Sequence, residues 1–155
     1  MNIFVLDKNP ADASKYHCDK HVVKMILETA QLLASAHWMN GGTAEYKLTH
    51  KNHPCSKWVR ECSENYNWLN SLGMKLCREY TFRYGKTHKT ERIMKLLGNK
   101  PNLPVLGTMT EFPKAMPDEL KLNDIVDSYR NYYIKAKNNI AKWNKTRNKP
   151  EWYNI

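Results

Sequence analysis

The strongest helical pattern in the chain covers residues 10–39. From residue 22 to residue 36 almost every position is apolar or small, and polar residues recur three or four positions apart. At 3.6 residues per turn this spacing places them in one line down one side of a helix. The line consists of His17, His21, Lys24, Glu28, Gln31 and Ser35. The pattern predicts one long helix through the middle of a domain, largely buried, with a single polar line.

A polar line on a buried helix needs hydrogen-bonding partners, a ligand or water in a cleft. The line could be the solvated side of the helix or the floor of an active-site groove. In a groove, Lys20, His21 and Lys24 would crowd positive charge together, which favours an acidic ligand and the neutral form of a partly desolvated lysine. Glu28 stands one turn beyond Lys24. It could form an ordinary ion pair with that lysine or act as a general acid or base beside it.

The rest of the chain alternates between helical and irregular patterns. Residues 2–6 are a short apolar run, too short for a helix, which we expect to be extended and buried. Apolar positions recur at helical spacing over residues 54–84, in a short segment that ends at Gly98, and from about residue 123 to residue 143. Four prolines between residues 99 and 118 predict an ordered loop. The predicted fold class is therefore all-α, a compact helical bundle with a short extended N-terminus.

The length and composition of the chain limit the number of domains and indicate the charge of its partner. With 155 residues, the chain is long enough for one domain, 1–155, but not for two. It carries 25 Lys and Arg residues against 15 Asp and Glu residues, a net charge of +10. This excess favours a polyanion as partner, and nine Tyr and five Trp residues could stack on bases or simply fill the core.

Basic residues concentrate in two segments. Eight lie between residues 75 and 100 against two acidic residues, and seven lie between residues 128 and 150, where acidic residues are absent and aromatic residues are interleaved. Such segments are typical of nucleic-acid binding, although a charged run is often only a solvated face. We predict that a nucleic acid contacts Lys20, Arg83, Lys86, His88, Lys89, Arg92, Arg130, Lys137, Trp152 and Tyr153.

Several other classes of protein fit the sequence poorly. The chain has no apolar stretch long enough to cross a membrane and no signal-peptide pattern, so we expect a cytoplasmic protein. No obligate protein partner is evident from the sequence. Its four cysteines lack C-x-x-C spacing, which favours reduced thiols in helix cores.

A metal site is the second hypothesis that the pattern allows. His17 and His21 are four residues apart, so both imidazoles would lie on one side of a helix, and His53 with Cys55 could complete a tetrahedral set. The chain lacks an H-E-x-x-H motif, and two lysines of the same helix would repel a cation. We therefore expect no metal and no other cofactor.

Three motifs together resemble a known family. They are H-C-D-K-H-V-V-K-M-I-L-E at residues 17–28, R-Y-G at 83–85 and K-P-E-W-Y at 149–153. In this order they resemble the pyrimidine dimer DNA glycosylases of the endonuclease V type. The resemblance implies a compact all-α enzyme that binds and bends duplex DNA, flips a base and breaks its glycosidic bond. It also implies that an N-terminal α-amine forms a Schiff base with the sugar, that a glutamate on the first long helix assists, and that basic residues hold the phosphates.

Two departures from that family pattern matter. The second residue is Asn2, and an initiating methionine is normally removed only before small residues, so we expect the free amine at Met1. Aligned from His17, the position of the catalytic glutamate holds Lys24, while the only glutamate of this helix is Glu28. Either Glu28 has taken over, or Lys24 is the nucleophile, or the lyase chemistry has been lost or replaced. The predicted catalytic residues are Met1, Asn2, His17, His21, Lys24 and Glu28.

The sequence thus predicts a DNA glycosylase, with or without AP-lyase activity, that acts on damaged or modified pyrimidines in duplex DNA by base flipping. One alternative is a base-modifying enzyme that uses the same cleft. Another is a DNA-binding protein that has kept the fold and lost the reaction. The retained polar line argues against the last alternative, because a pure phosphate binder needs only surface charge.

Overall fold

A computed structural model describes residues 1–154. These residues contain no β-strand, and a short 3-10 turn at Asp118–Leu120 precedes the last helix. The predicted all-α class is confirmed. The α-helices are α1 (Pro10–Tyr16), α2 (Asp19–Met39), α3 (Pro54–Val59), α4 (Ser63–Tyr84), α5 (Glu91–Leu96) and α6 (Ile125–Ala136).

The two long helices, α2 and α4, pack against each other at the centre of the molecule. Helices α1, α3 and α5 pack around them. At Gly73, α4 approaches Thr29 of α2 and Met94 of α5 so closely that a Cβ atom would overlap the Met94 side chain. Any larger residue there would require the Met94 side chain to shift, because core side chains are close-packed.

The predicted single helix over residues 10–39 is wrong in one respect, since it breaks at His17 and Cys18. His17 ends α1 with φ −59° and ψ 133°, and Cys18 is extended before α2 begins. The carbonyl oxygens of Lys15 and His17, which a continuous helix would pair internally, accept hydrogen bonds from the Arg83 guanidinium at 2.9 and 2.8 Å. A side chain from α4 thus replaces the backbone donors that the broken helix lacks.

Arg83 also pairs with two acidic side chains. Its Nε lies 2.9 Å from Glu79 Oε1 and its Nη1 lies 3.1 Å from Asp19 Oδ1, while its own side chain has no exposed surface. We expect Arg83→Met to lower the free energy of unfolding by about 3–5 kcal/mol, because it leaves two backbone carbonyls at the helix break without a donor and removes a buried cation from Asp19 and Glu79. Glu79 keeps its pair with Arg147. Urea unfolding measures this change. The matched control is Arg92→Met, which removes an exposed pair and should have a much smaller effect.

The predicted helix over residues 54–84 is also divided, into α3 and α4. Cys62 between them is extended, with φ −158° and ψ 163°. The side-chain amide of Asn65 donates to the carbonyl of Trp58 at 2.8 Å and so pairs a group at the end of α3. As in the first case, a side chain completes a helix end that the apolar spacing alone does not reveal.

The last helix ends earlier than the spacing predicted. Helix α6 stops at Ala136, and the apolar residues that extended the pattern to residue 143 lie in an irregular segment. That segment is held against the start of α2, where the Asp19 amide donates to the Lys142 carbonyl at 2.8 Å and the Asp19 carboxylate accepts from the Asn144 amide at 2.7 Å. The C-terminal segment therefore packs against the break between α1 and α2.

The N-terminal segment is buried, as predicted, but a turn interrupts the extended run. The Asn2 side chain accepts hydrogen bonds from the amides of Ile3 and Phe4 and donates to the Ala115 carbonyl at 2.8 Å. Phe4 has φ 43°, which costs a non-glycine residue about 1–2 kcal/mol. The Leu6 amide then donates to the Phe4 carbonyl at 2.8 Å. This turn directs the Phe4 ring onto α2.

Two further expectations concern membranes and thiols. Among residues 1–154, no helix has the length and apolar character needed to span a membrane. The four cysteines are free and buried, as predicted, but Cys18 and Cys62 precede α2 and α4 and do not lie within a helix.

Candidate active site

A polar cavity of about 140 Å³ opens where the N-terminal segment meets α2 and α6. Five of the six residues predicted as catalytic line it, and His17 is the exception. Three larger surface cavities, of about 400, 520 and 510 Å³, contain none of these residues. The small cavity is lined by Met1, Asn2, Phe4, His21, Lys24, Met25, Glu28, Tyr132 and Lys137.

The α-amine of Met1 and the carboxylate of Glu28 lie side by side in this cavity. The amine nitrogen is 3.3 Å from Glu28 Oε1, and Lys24 Nζ is 3.7 Å from Glu28 Oε2. The side chains of Met1 and Glu28 are 4% and 13% exposed, whereas that of Lys24 is 71% exposed. Glu28 Oε2 is buried and accepts no hydrogen bond within residues 1–154. An α-amine beside a carboxylate combines a candidate nucleophile with a candidate general base.

His17 lies behind the cavity, at the end of α1. It is completely buried, and its Nδ1 is 2.7 Å from the Ala13 carbonyl, to which it donates. Burial is the main cause that lowers the pKa of His17 to about 4, and the positive charge of Arg83 adds to it. His17 therefore stays neutral near pH 7.

His21 lies on the cavity wall. Its Nδ1 is 2.6 Å from the hydroxyl of Tyr133, and its ring is 4.4 Å from the ring of Phe4, centroid to centroid. Burial is the main cause that lowers the pKa of His21 to about 3, with smaller contributions from the adjacent His17 imidazole and from the positive charges of Lys137 and Lys24. No carboxylate offsets this effect, so His21 too is neutral near pH 7.

Because two histidines are buried in the neutral form, we expect the folded protein to lose stability in acid. Between pH 6.5 and about 4 the unfolded chain binds protons that the folded chain excludes. The free energy of unfolding therefore falls as pH falls, by up to about 1.4 kcal/mol per pH unit for each histidine. Urea titrations at pH 7, 6 and 5 measure the slope. We expect His17→Gln to flatten it and His50→Asn, at an exposed position, to leave it unchanged; equal slopes in both variants would contradict the assignment.

Phe4, Tyr132 and Lys137 complete the cavity. The Phe4 and Tyr132 rings stack with centroids 5.9 Å apart, and Lys137 Nζ lies 5.0 Å from the Tyr132 centroid. Sequence analysis placed Lys137 among DNA contacts and missed both aromatic residues as parts of the site. No local pattern could have identified them, because the site joins residue 4, in a left-handed conformation, to residues 132–137 far along the chain.

Two residues predicted to contact DNA are buried. The guanidinium of Arg83 is fully used by α1, Glu79 and Asp19, and Tyr153 is 4% exposed, with its ring 4.9 Å from that of Trp143. Neither side chain can reach a phosphate or a base in this structure. Basic and aromatic character predicted surface contacts here, but both residues serve the packing of the C-terminal segment and the helix break.

Other predicted DNA contacts are partly engaged within the protein. Arg92 forms a bidentate pair with Glu45 at 2.9 and 2.8 Å. Arg130 donates to the Leu6 carbonyl at 3.0 Å and lies 5.1 Å from the centroid of the half-buried Trp152 ring. Each of these residues keeps some exposed surface, and their contact with DNA remains a prediction.

The solvated side of α2 differs from the predicted polar line. Lys20, Val23, Lys24 and Leu27 are exposed, whereas His21 and Ser35 of the predicted line are buried. The half-buried His88 contacts the Val23 carbonyl at 3.1 Å, which brings the loop with exposed Lys86 and Lys89 beside this side of α2. We call Lys20, Lys24, Lys86 and Lys89 the basic face; it adjoins the cavity at Lys24.

The hypothesis of a metal site required a cluster of donor side chains. Within residues 1–154, no group of three or more His, Cys, Asp or Glu residues is arranged to hold a metal ion.

Comparison with known proteins gives one match. The sequence profile of a family described as pyrimidine dimer DNA glycosylase matches residues 1–92, more than half of the chain. No curated protein matches, and no solved structure does. The matched region contains Met1, His21 and Glu28, and a DNA glycosylase has DNA as its substrate. The chain belongs to the family of pyrimidine dimer DNA glycosylases.

Proposed function

We propose that this protein is a DNA glycosylase with AP-lyase activity that acts on damaged or modified pyrimidines, pyrimidine dimers first among them, in duplex DNA. In this proposal the α-amine of Met1 is the nucleophile and Glu28 moves protons. The substrate nucleotide leaves the base stack so that its sugar reaches the cavity.

One observation carries the proposal. The Met1 amine lies 3.3 Å from Glu28 Oε1, inside a cavity walled by the N-terminal segment, α2 and α6. Lys24 of α2, the alternative nucleophile, is 71% exposed and lies 3.7 Å from the carboxylate. An exposed amine is strongly hydrated and must lose that hydration before it attacks, so it is the poorer nucleophile.

In the proposed reaction, the Met1 amine and the Glu28 carboxylate supply and accept the protons that each bond change requires. Glu28 takes one proton from the Met1 ammonium, and the neutral nitrogen attacks C1′ while the glycosidic bond breaks. The electron pair leaves with the base, which takes a second proton from the attacking nitrogen. Glu28 then returns its proton to O4′ as the C1′–O4′ bond breaks, which leaves a protonated Schiff base. Glu28, again a carboxylate, would then take a proton from C2′ while the C3′–O3′ bond breaks and its electron pair leaves with the 3′ phosphate. Hydrolysis of the Schiff base by water would free the Met1 amine.

The charges around the cavity support binding of a phosphodiester. Lys24 stands at one wall and Lys137 at another, and the basic face extends from Lys24 over Lys20 and the 86–89 loop. Phosphates on both sides of a flipped nucleotide would meet positive charge there. Such contacts hold the duplex in register without reading sequence.

Strand cleavage of a defined duplex tests the proposal. The substrate is an end-labelled duplex with one cyclobutane pyrimidine dimer, and the matched control is the same duplex without the dimer. We expect scission only at the dimer. A second duplex with a single abasic site isolates the lyase step.

Each alternative predicts a different result of that experiment. Base release without scission indicates a glycosylase that uses water. Salt-sensitive binding without either reaction indicates a base-modifying enzyme or a DNA-binding protein that has lost catalysis, and both outcomes would contradict the proposed lyase mechanism.

A further inference from the structure

The imidazole of His21 is tied to Tyr133, a fully buried residue on α6. The Tyr133 hydroxyl lies 2.6 Å from His21 Nδ1, and the same oxygen accepts the backbone N–H of Cys18 at 3.3 Å. The hydroxyl proton has two acceptors to choose from, His21 Nδ1 at 2.6 Å and Cys18 Sγ at 3.7 Å. The nitrogen is nearer and is the stronger acceptor, because thiol sulfur accepts hydrogen bonds only weakly.

These contacts determine which ring nitrogen of His21 carries the proton. Since Nδ1 accepts from Tyr133, and since burial among positive charges keeps the ring neutral, the single ring proton belongs to Nε2. A neutral imidazole with Nε2–H is a hydrogen-bond donor that no pH change near neutrality switches off.

The Nε2 edge of His21 has no partner within the protein. The residue lines the cavity and is 4% exposed, and none of residues 1–154 forms a hydrogen bond with its Nε2. His17 offers a contrast, because its Nε2 is sealed inside the protein without a partner. The unpaired donor of His21, nearly buried on a cavity wall, therefore calls for an acceptor from a ligand.

We infer that His21 is a substrate-binding residue whose Nε2–H donates to an oxygen of the deoxyribose phosphate that enters the cavity, and that Tyr133 is the positioning residue that fixes this tautomer. The inference rests on the proposed function and adds a contact to it. Lys24 and Lys137 line the same cavity and place positive charge on His21, so the wall around it suits an electron-rich oxygen. Both a phosphate oxygen and a sugar oxygen fit this chemistry.

Nitrogen NMR of the imidazoles tests the tautomer directly. In protein labelled with ¹⁵N, we expect His21 to show a protonated Nε2 and an unprotonated Nδ1 from pH 5 to pH 8. In Tyr133→Phe, the Nδ1 signal should shift as the fixed acceptor position is lost. A wild-type spectrum with the proton on Nδ1 would overturn the inference without any variant.

Single-turnover borohydride trapping on an abasic duplex tests the contact with substrate. We expect His21→Leu to slow trapping by about 10- to 100-fold, because it removes a donor to a charged or strongly polar acceptor. His21→Gln, whose amide can place an N–H near the position of Nε2, should restore most of the rate. Equal rates in wild type and His21→Leu would refute the contact while leaving the proposed function intact. Absence of trapping in the wild type would instead refute the proposed function.

A modified substrate separates the two possible acceptors. A duplex with a neutral methylphosphonate beside the abasic site lacks one charged phosphate oxygen. If that phosphate is the acceptor, wild type and His21→Leu should react with this duplex at similar rates. If the full difference between them persists, the acceptor is an oxygen of the sugar.

Discussion

Glu28→Gln lowers the rate of reaction at C1′ by about 10²- to 10⁴-fold, the usual contribution of a positioned acid or base. Gln keeps the size of the side chain and an oxygen that the Met1 amine, 3.3 Å away, can contact. It cannot take the ammonium proton or return a proton to O4′. We therefore expect the loss in the rate constant of a single turnover, with affinity for damaged duplex preserved.

A matched control for Glu28→Gln comes from α5. Glu91→Gln removes a carboxylate that pairs with Lys95 at 3.5 Å, outside the cavity. It should leave both turnover and binding unchanged. If Glu28→Gln also turned over at the wild-type rate, Glu28 would have no part in the mechanism.

We expect that adding residues before Met1 suppresses formation of the Schiff base. A Gly-Ser dipeptide at the N-terminus moves the free amine by about 7 Å, at roughly 3.3–3.6 Å per residue, away from Glu28. The cavity of about 140 Å³ has little room for the added residues. We expect at least a 100-fold loss of Schiff-base formation, of the order that a 1 Å misplacement already causes in a catalytic group.

The control for the extended chain is the same fusion cleaved so that Met1 comes first. Thermal melting and binding to undamaged duplex show whether the extension has harmed the fold. If the extended chain melts and binds normally and still forms the Schiff base at the full rate, the Met1 amine is not the nucleophile. The assignment would then pass to Lys24.

Sequence reasoning predicted the helical class and most of one wall of the cavity. The periodic spacing from His21 to Glu28 placed these residues on one helix, and the structure has them together on α2. The spacing alone left open whether Glu28 or Lys24 carries the chemistry. Their exposure differs, because the Glu28 side chain is 13% exposed and that of Lys24 is 71% exposed, and this difference supports the proposed role of Glu28.

The elements that were mispredicted depend on contacts distant in sequence. The break at His17 is stabilised by Arg83, 66 residues away, which pairs the carbonyls left free there. Apolar periodicity runs through the break without interruption, so it cannot reveal that a distant guanidinium ends the helix. The same contact explains why Arg83 is buried, although the many basic residues in this segment predicted that it contacts a phosphate.

The opposite wall of the cavity also lay beyond local reasoning. Tyr132 and Tyr133 fall within the helical pattern predicted from about residue 123 to residue 143, and the structure places one on the cavity and the other behind His21. Phe4 reaches them through a left-handed backbone conformation that the sequence gives no reason to expect. Assembly of this site therefore requires the tertiary packing of both chain ends.

Borohydride trapping on a duplex with one abasic site, followed by mass spectrometry of the adduct, tests the central claim most directly. Borohydride reduces the Schiff base to a stable bond between protein and sugar. We predict a single adduct on the α-amine of Met1, the amine that lies 3.3 Å from Glu28. An adduct on Lys24, or binding of the duplex without any adduct, would contradict the account.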